Sequence, residues 1–284
     1  MGVDVTRSVG DLVATATETL AAAGIAAPGV DAERLALVVT GSDRAALVRY
    51  WRDEPPWPRF AERFAILVGR RAERVPLQHI EGTAAFRDFE VAVGAGVFVP
   101  RPETETTVAV ALECATPGGR LLDAGTGSGV IAIAMARELE GAEVHATERS
   151  MAAIVWAARN IGMLAPRVVL HEQWFLGLDG DFDLIVSNPP YVDTTELAGL
   201  EPEVRDHDPE VALVPAGGDA LADIALLVRE TPARLRPGGT FVCEIGAGQG
   251  AAAAALARAH WRKVEVRTDL AGRDRVLVCR EPRP

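Results

Sequence analysis

Through the first 75 or so residues, apolar positions recur at helical spacing. Residues 11–23 form one Ala/Leu-rich stretch, closed by Gly24 and by Pro28-Gly29. Asp31 reads as the N-cap of a second helix over 32–39, with Leu35, Val38 and Val39 on one face. Helices over 43–51 and 59–73 follow, separated by Pro55-Pro56 and Pro58. The four predict a small bundle. The pattern then turns to alternation. Phe89, Val91 and Val93 mark a strand over 86–93, Gly94 and Gly96 a turn, and 97–99 a second short strand that ends at Pro100-Arg101-Pro102.

From residue 103 helical and strand patterns alternate. Helix 103–115 leads to an apolar strand ending in Asp123, then a Gly-rich turn and an Ala-rich helix to 139. Strand 142–148, helix 150–162 and strands 167–171 and 182–187 come next, followed by a long loop to 218. Helix 219–235, strand 240–245, helix 249–260 and strands near 263–268 and 275–280 finish the order. Such alternation predicts a mostly parallel sheet covered on both faces. The last two strands, with no helix between them, read as an antiparallel pair. The organisation is therefore a helical domain (1–75), a β-hairpin linker (76–102) and an α/β catalytic domain (103–284).

Composition narrows the classes. The chain has 284 residues, of which 49% are hydrophobic and 24% charged, so a full core is within reach without staples. The net charge of −11 argues against a broad nucleic-acid footprint, which needs Lys and Arg on phosphates. Three cysteines at long spacing (Cys114, Cys243, Cys279) fit neither a disulfide framework nor a zinc site, and read as buried reduced thiols. No metal site is expected. Residues 1–10 lack the apolar core of a signal peptide, and no apolar run approaches a membrane span, so a cytoplasmic location is expected.

Two motifs carry chemistry. The first is Asp123-Ala124-Gly125-Thr126-Gly127-Ser128-Gly129, between a strand and a helix. Its glycines permit a sharp turn and close approach of a ligand, and the helix behind offers unpaired N–H groups. A dinucleotide fingerprint needs glycine at 130, where Val130 stands. Three glycines with the Asp123 carboxylate suit S-adenosylmethionine, whose ammonium a carboxylate can hold. Glu148, ending the next strand, either accepts from ribose hydroxyls or caps the following helix. A second Gly-rich stretch at Gly246, Gly248 and Gly250 reads as a turn.

The second motif is Asn188-Pro189-Pro190-Tyr191, directly after an apolar strand. Prolines stiffen the loop and remove competing N–H donors. The Asn188 side-chain oxygen and the Pro189 carbonyl can accept both hydrogens of a planar NH2 group, with Tyr191 against its plane. An amide nitrogen is a poor nucleophile because its lone pair is delocalised. Methylation makes its hydrogens more acidic, so these bonds strengthen in the transition state.

Together these residues resemble the HemK/PrmC family of protein-(glutamine) methyltransferases. Similar stretches are Asp31-Ala32-Glu33-Arg34-Leu35, Pro76-Leu77-Gln78-His79-Ile80-Glu81-Gly82, Phe98-Val99-Pro100-Arg101-Pro102-Glu103-Thr104-Glu105, Gln173-Trp174-Phe175, Glu201-Pro202-Glu203-Val204 and Gly272-Arg273-Asp274-Arg275-Val276. The resemblance covers nearly the whole chain. It implies a class I S-adenosylmethionine-dependent methyltransferase fold, Rossmann-like with a seven-stranded sheet, behind a helical domain that helps hold a peptide-chain release factor. It implies transfer to the glutamine of that factor's Gly-Gly-Gln loop. It also implies that Asp123, Gly125, Thr126, Gly127, Ser128, Gly129, Glu148, Gln173, Trp174 and Asn188 hold the cofactor. Phe98, Asn188, Pro189, Pro190 and Tyr191 would hold the glutamine, with Asn188, Pro189 and Tyr191 catalytic.

The chain departs from the family pattern at three places. Glu148 stands for an aspartate, Gln173 for a carboxylate and Asp88 for a glycine. Other acceptors suit the same chemistry: a planar amide or amine in another protein or a small molecule, or a nucleobase amino group. The last has against it the acidic charge and Val192, where guanine enzymes often carry histidine. A non-catalytic module is the remaining alternative. Arg101 faces either an acidic group near the cofactor or its neighbours Glu103 and Glu105.

Overall fold

The computed structural model describes residues 7–284. The reading of 1–10 as free of a signal peptide falls mostly on residues outside that range. The chain divides into two units, Met1–Gly82 with Pro202–His207, and Thr83–Glu201 with Asp208–Pro284.

The first unit is helical: Val9–Ala22, Pro28–Thr40, Arg44–Arg49, Phe60–Ala72 and Leu77–Glu81. Ser8 and Asp11 form a capping box on the first helix. The second helix begins earlier than the sequence pattern predicts. Pro28 occupies its first turn, where the missing N–H costs nothing, and Gly41 closes it in the left-handed region at φ 60°. Asp31 is therefore no N-cap. It lies buried inside the helix and accepts from Arg71 Nε at 2.7 Å. The short fifth helix is unpredicted. Leu20, Leu35, Leu47, Phe60 and Phe64 centre the core, and Trp51 and Trp57 pack against it. Glu203, in the helix Pro202–His207, receives Arg71 Nη1 at 2.8 Å and Arg74 Nη2 at 2.6 Å.

The second unit opens with an antiparallel hairpin, β1 (Thr83–Phe86) and β2 (Phe89–Ala92). Its turn is Arg87-Asp88, not Gly94 to Gly96, and 97–99 is no strand. Arg87 takes φ 51°, a conformation that side chains resist. It is held there by Glu105, which accepts from its N–H at 2.9 Å, and by a two-pronged pair with Glu138. Asp88, the departure from glycine, pairs with Arg137 at 3.0 Å.

Seven strands follow: β3 (Arg120–Ala124), β4 (Glu143–Thr147), β5 (Val169–His171), β6 (Phe182–Ser187), β7 (Leu235–Glu244), β8 (Trp261–Thr268) and β9 (Asp274–Pro282). They form one sheet in the order β5-β4-β3-β6-β7-β9-β8. The first five are parallel; β9 runs antiparallel to β8, as the pattern predicts, and also to β7. Alternate residues feed two cores. Leu121, Leu184 and Val242 face the hairpin side, while Leu122, Ile185 and Phe241 face the other. Because β4 lies on one side of β3 and β6 on the other, the strand order reverses here. A crevice opens at the strands' carboxyl ends, where ligands bind in such sheets.

The loop after β6 is not plain coil. It carries helical turns at Thr194–Gly199, Pro202–His207 and Glu210–Leu213. Cys243 and Cys279 are buried free thiols, but Cys114 is only half-buried and accepts from Arg280 Nη2. Among the described residues no helix is long and apolar enough to cross a membrane.

Candidate active site

Both motifs lie at the carboxyl edge of adjacent strands. The Gly-rich turn leaves β3 and the Asn-Pro-Pro-Tyr segment leaves β6, and the two strands pair through Asp123 and Val186. Ser187 ties them further by donating from Oγ to the Ala124 carbonyl at 2.6 Å.

The turn is built for a close ligand. Gly125, Gly127 and Gly129 take φ of 81°, 57° and 92°. A Cβ on Gly127 would meet nothing within 4 Å, and one on Gly125 would face Trp174 Cζ3 at 3.6 Å. The turn is braced from below. Asp123 is fully buried, and its Oδ2 accepts from Thr126 Oγ1 and from Ala132 N–H, leaving Oδ1 without a partner. Burial pushes its pKa to about 7 against those two bonds, with the nearby Glu148 charge adding a little.

Glu148 is also buried. Its Oε1 accepts from the N–H groups of Arg149 and Ser150, both at 2.8 Å, and its Oε2 from Gly127 N–H at 2.9 Å. These N–H groups precede the helix Met151–Leu164, so Glu148 braces the turns on either side of it and does not cap that helix's first turn. A carboxylate offers about four acceptor positions, so one is left for a hydroxyl. Trp174 stands beside the turn with the Arg149 guanidinium 4.9 Å above its ring. Gln173 is exposed, and its side chain lies over Gly177.

In the second motif, Asn188 Nδ2 donates to Thr104 Oγ1 at 3.1 Å. That leaves Asn188 Oδ1 free to accept from another group. Pro189 is buried and Pro190 half-buried. Tyr191 donates from its hydroxyl to Glu244 Oε1 at 3.3 Å, and its carbonyl accepts from Gln249 Nε2 at 2.8 Å. Burial first, then the Glu244 charge, pushes the Tyr191 pKa up, so the phenol stays protonated. Beside Tyr191 a cavity of about 370 Å³ is lined by Val192, Glu196, Leu200, Gly246 and Gln249. The second Gly-rich stretch is thus a turn that walls this cavity. Phe98 lies under the Arg101 guanidinium at 5.2 Å. Arg101 itself pairs with Asp208, an acidic residue, and not with Glu103 or Glu105. Sequence pattern cannot see a contact across 107 positions.

Several residues of this site carry no sequence signal. Asn160 accepts from Ala92 N–H at 2.8 Å and donates to Ala92 O and Ser128 O, joining the hairpin to the Gly-rich turn. Glu244 and Arg149 likewise carry none. Thr104 lies inside the Pro-Arg-Pro-Glu-Thr-Glu stretch, which could have drawn attention to it.

Comparison with known proteins agrees with this geometry. The PrmC N-terminal domain model matches residues 11–82, and the methyltransferase small domain model matches 89–200. A release factor glutamine methyltransferase of Streptomyces coelicolor is 45% identical, covering 84% of this chain and 85% of that protein. Another, of Cereibacter sphaeroides, is 41% identical and covers 96% and 98%. The chain belongs to the release factor glutamine methyltransferase family. A solved methyltransferase from Pyrococcus furiosus shares the fold, with a TM-score of 0.53 at 20% identity over 69% of this chain and 91% of that one. Membership in the release factor glutamine methyltransferase family accounts for a helical unit preceding an α/β one.

Proposed function

We propose that this chain transfers a methyl group from S-adenosylmethionine to the side-chain amide nitrogen of the Gly-Gly-Gln glutamine in peptide-chain release factors, in the cytoplasm. The observation that carries the reading is Asn188. Its nitrogen is taken by Thr104, so its oxygen is the end offered to a donor, one strand away from the Gly-rich turn.

The residues present fit the cofactor. Gly125 and Gly127 leave room for close approach, the Trp174 face suits an adenine, and the unpartnered Asp123 Oδ1 suits an ammonium. Thr126 and Ser128 hold the turn's shape, Gly129 starts the helix behind it, and Glu148 keeps one acceptor position for a ribose hydroxyl. Gln173 would accept from the adenine amino group after leaving Gly177. When bound, S-adenosylmethionine supplies an electrophilic sulfonium methyl.

The chain's own residues do the rest. Asn188 Oδ1 and the Pro189 carbonyl accept the two amide hydrogens and orient the nitrogen lone pair. Tyr191, kept neutral by burial, packs on the amide plane, and Pro190 and Phe98 help enclose it. As the C–N bond forms and the S–C bond breaks, the nitrogen becomes positive and both hydrogen bonds tighten. One proton then leaves to solvent. A bond of this kind contributes about 3 kcal/mol, roughly a hundredfold in rate. The helical domain (1–75) would dock the release factor, and 76–102 would link it to the catalytic domain (103–284).

Mass spectrometry of a release factor incubated with the protein and S-adenosylmethionine tests this. One added methyl on the Gly-Gly-Gln glutamine is expected. No addition, with cofactor binding intact, would overturn the acceptor and turn attention to another amide or amine.

A further inference from the structure

Gln249 holds the N-cap position of the helix Gly250–Arg258, yet its side chain does not cap that helix. Caps are usually short side chains such as Ser, Asp or Asn. The Gln249 amide is engaged elsewhere. Its Oε1 accepts from the Gly246 N–H and its Nε2 donates to the Tyr191 carbonyl, both at 2.8 Å. An N–H only donates and a carbonyl only accepts, so a single orientation of the amide satisfies both. The turn after β7 is shaped around it. A Cβ on Gly246 would lie 3.0 Å from Gln249 Cδ and Oε1, so glycine there gives the amide its space.

The segment that receives this bond has few means of being held. Pro189 and Pro190 have no N–H, and the Pro189 carbonyl is left to the acceptor amide. Ser187 and Asn188 fix the first end, through Ala124 O and Thr104 Oγ1. At the second end the Val192 N–H donates to Leu213 O at 2.9 Å, but Leu213 belongs to the same long excursion after β6. The Tyr191 hydroxyl has its own bond to Glu244, which holds the far side of the ring. Gln249 is what joins the main chain of this end to a turn leaving the sheet.

We propose that Gln249 is a positioning residue for methyl transfer: by donating to the Tyr191 carbonyl, it holds the Asn188–Tyr191 segment in the shape that meets the acceptor nitrogen. This rests on the reading of Asn188 given above.

The test is steady-state methylation of a release factor by Gln249→Glu, Gln249→Ala, Gly246→Ala and Asn188→Ala, with cofactor affinity by titration and thermal melts beside it. Gln249→Glu is the decisive variant. Its carboxylate keeps the length and the bond from Gly246 N–H but has no proton for the Tyr191 carbonyl. A role confined to the turn's shape would leave it like the native protein. The proposal expects kcat to fall about tenfold or more, the upper part of what one neutral hydrogen bond contributes. KM for the release factor should change less than kcat, and cofactor Kd should stay within about threefold. Gly246→Ala should push the amide aside and lower kcat with Gln249 still present, yet cost nothing further in the Gln249→Ala background. Native kcat in Gln249→Glu would overturn the proposal. So would additive losses in the Gly246→Ala/Gln249→Ala pair, which decides the matter even if Gln249→Glu fails to fold. Asn188→Ala separates the two levels. Lost turnover there with an unaffected Gln249→Glu sinks only this proposal, whereas retained turnover in Asn188→Ala sinks the reading beneath it.

Discussion

Asp123 illustrates how one side chain can be legible in type and not in role. An acid at the end of β3 is readable from sequence, but its contacts are not. Its oxygen reaches Thr126 and Ala132, within the turn and the helix it precedes. The sign of its effect on stability follows from its pKa, raised from 3.8 to about 7 mainly by burial. Below 3.8 the group is protonated in both states and its full contribution to stability is present. Between that value and about 7 the unfolded chain loses the proton while the folded one keeps it, so stability falls with rising pH. Above about 7 the loss is complete, at most roughly 4 kcal/mol. Asp123→Asn should flatten this slope. Thermal melts of both proteins from pH 4 to 8 check it: the native Tm should decline relative to the variant, and parallel curves would contradict the assignment.

At the level of elements, legibility followed the kind of force involved. The parallel strands and their covering helices were readable because burial imposes period two and period 3.6 on the sequence. The hairpin turn was not, because Arg87, which takes φ 51° there, has no intrinsic preference for a turn. Glu105, Glu138 and Arg137 hold the turn from other elements. The helix Pro202–His207 escaped for the same reason. Six residues cannot sustain a helix alone, and Glu203 fixes this one to Arg71 and Arg74 in the helical unit. Burial raises the Glu203 pKa, but the bonds from Arg74 and Arg71 outweigh it, and the net shift is downward from 4.5. Its contribution is thus complete above pH 4.5 and lost as pH falls through the depressed value. Glu203→Gln should cost about 1–3 kcal/mol at neutral pH in denaturant unfolding of the helical unit, since Arg71 keeps Asp31. The gap between variant and native should close on acidification.

Across the whole chain, the place of each chemical motif directly after a strand, at the sheet's carboxyl edge, was readable from the pattern. What joins that edge to the rest of its unit was not. Asn160 sits on the helix Met151–Leu164, where pattern alone cannot tell a buried amide from a solvent-facing one. Only 2% exposed, it uses one oxygen and one nitrogen to satisfy Ala92 N–H, Ala92 O and Ser128 O. It therefore couples the hairpin to the cofactor turn at sequence distances no local rule spans. Asn160→Ala would leave these three main-chain groups without partners. Each such loss costs about 1–3 kcal/mol unless water enters. The expected outcome is a protein destabilised by about 3 kcal/mol or more whose affinity for S-adenosylmethionine drops about tenfold, because the Ser128 carbonyl no longer anchors the turn. Titration calorimetry beside denaturant unfolding separates the two effects. A stability loss with unchanged cofactor affinity would show that the turn keeps its shape without the hairpin, resting on Asp123 and Glu148 alone.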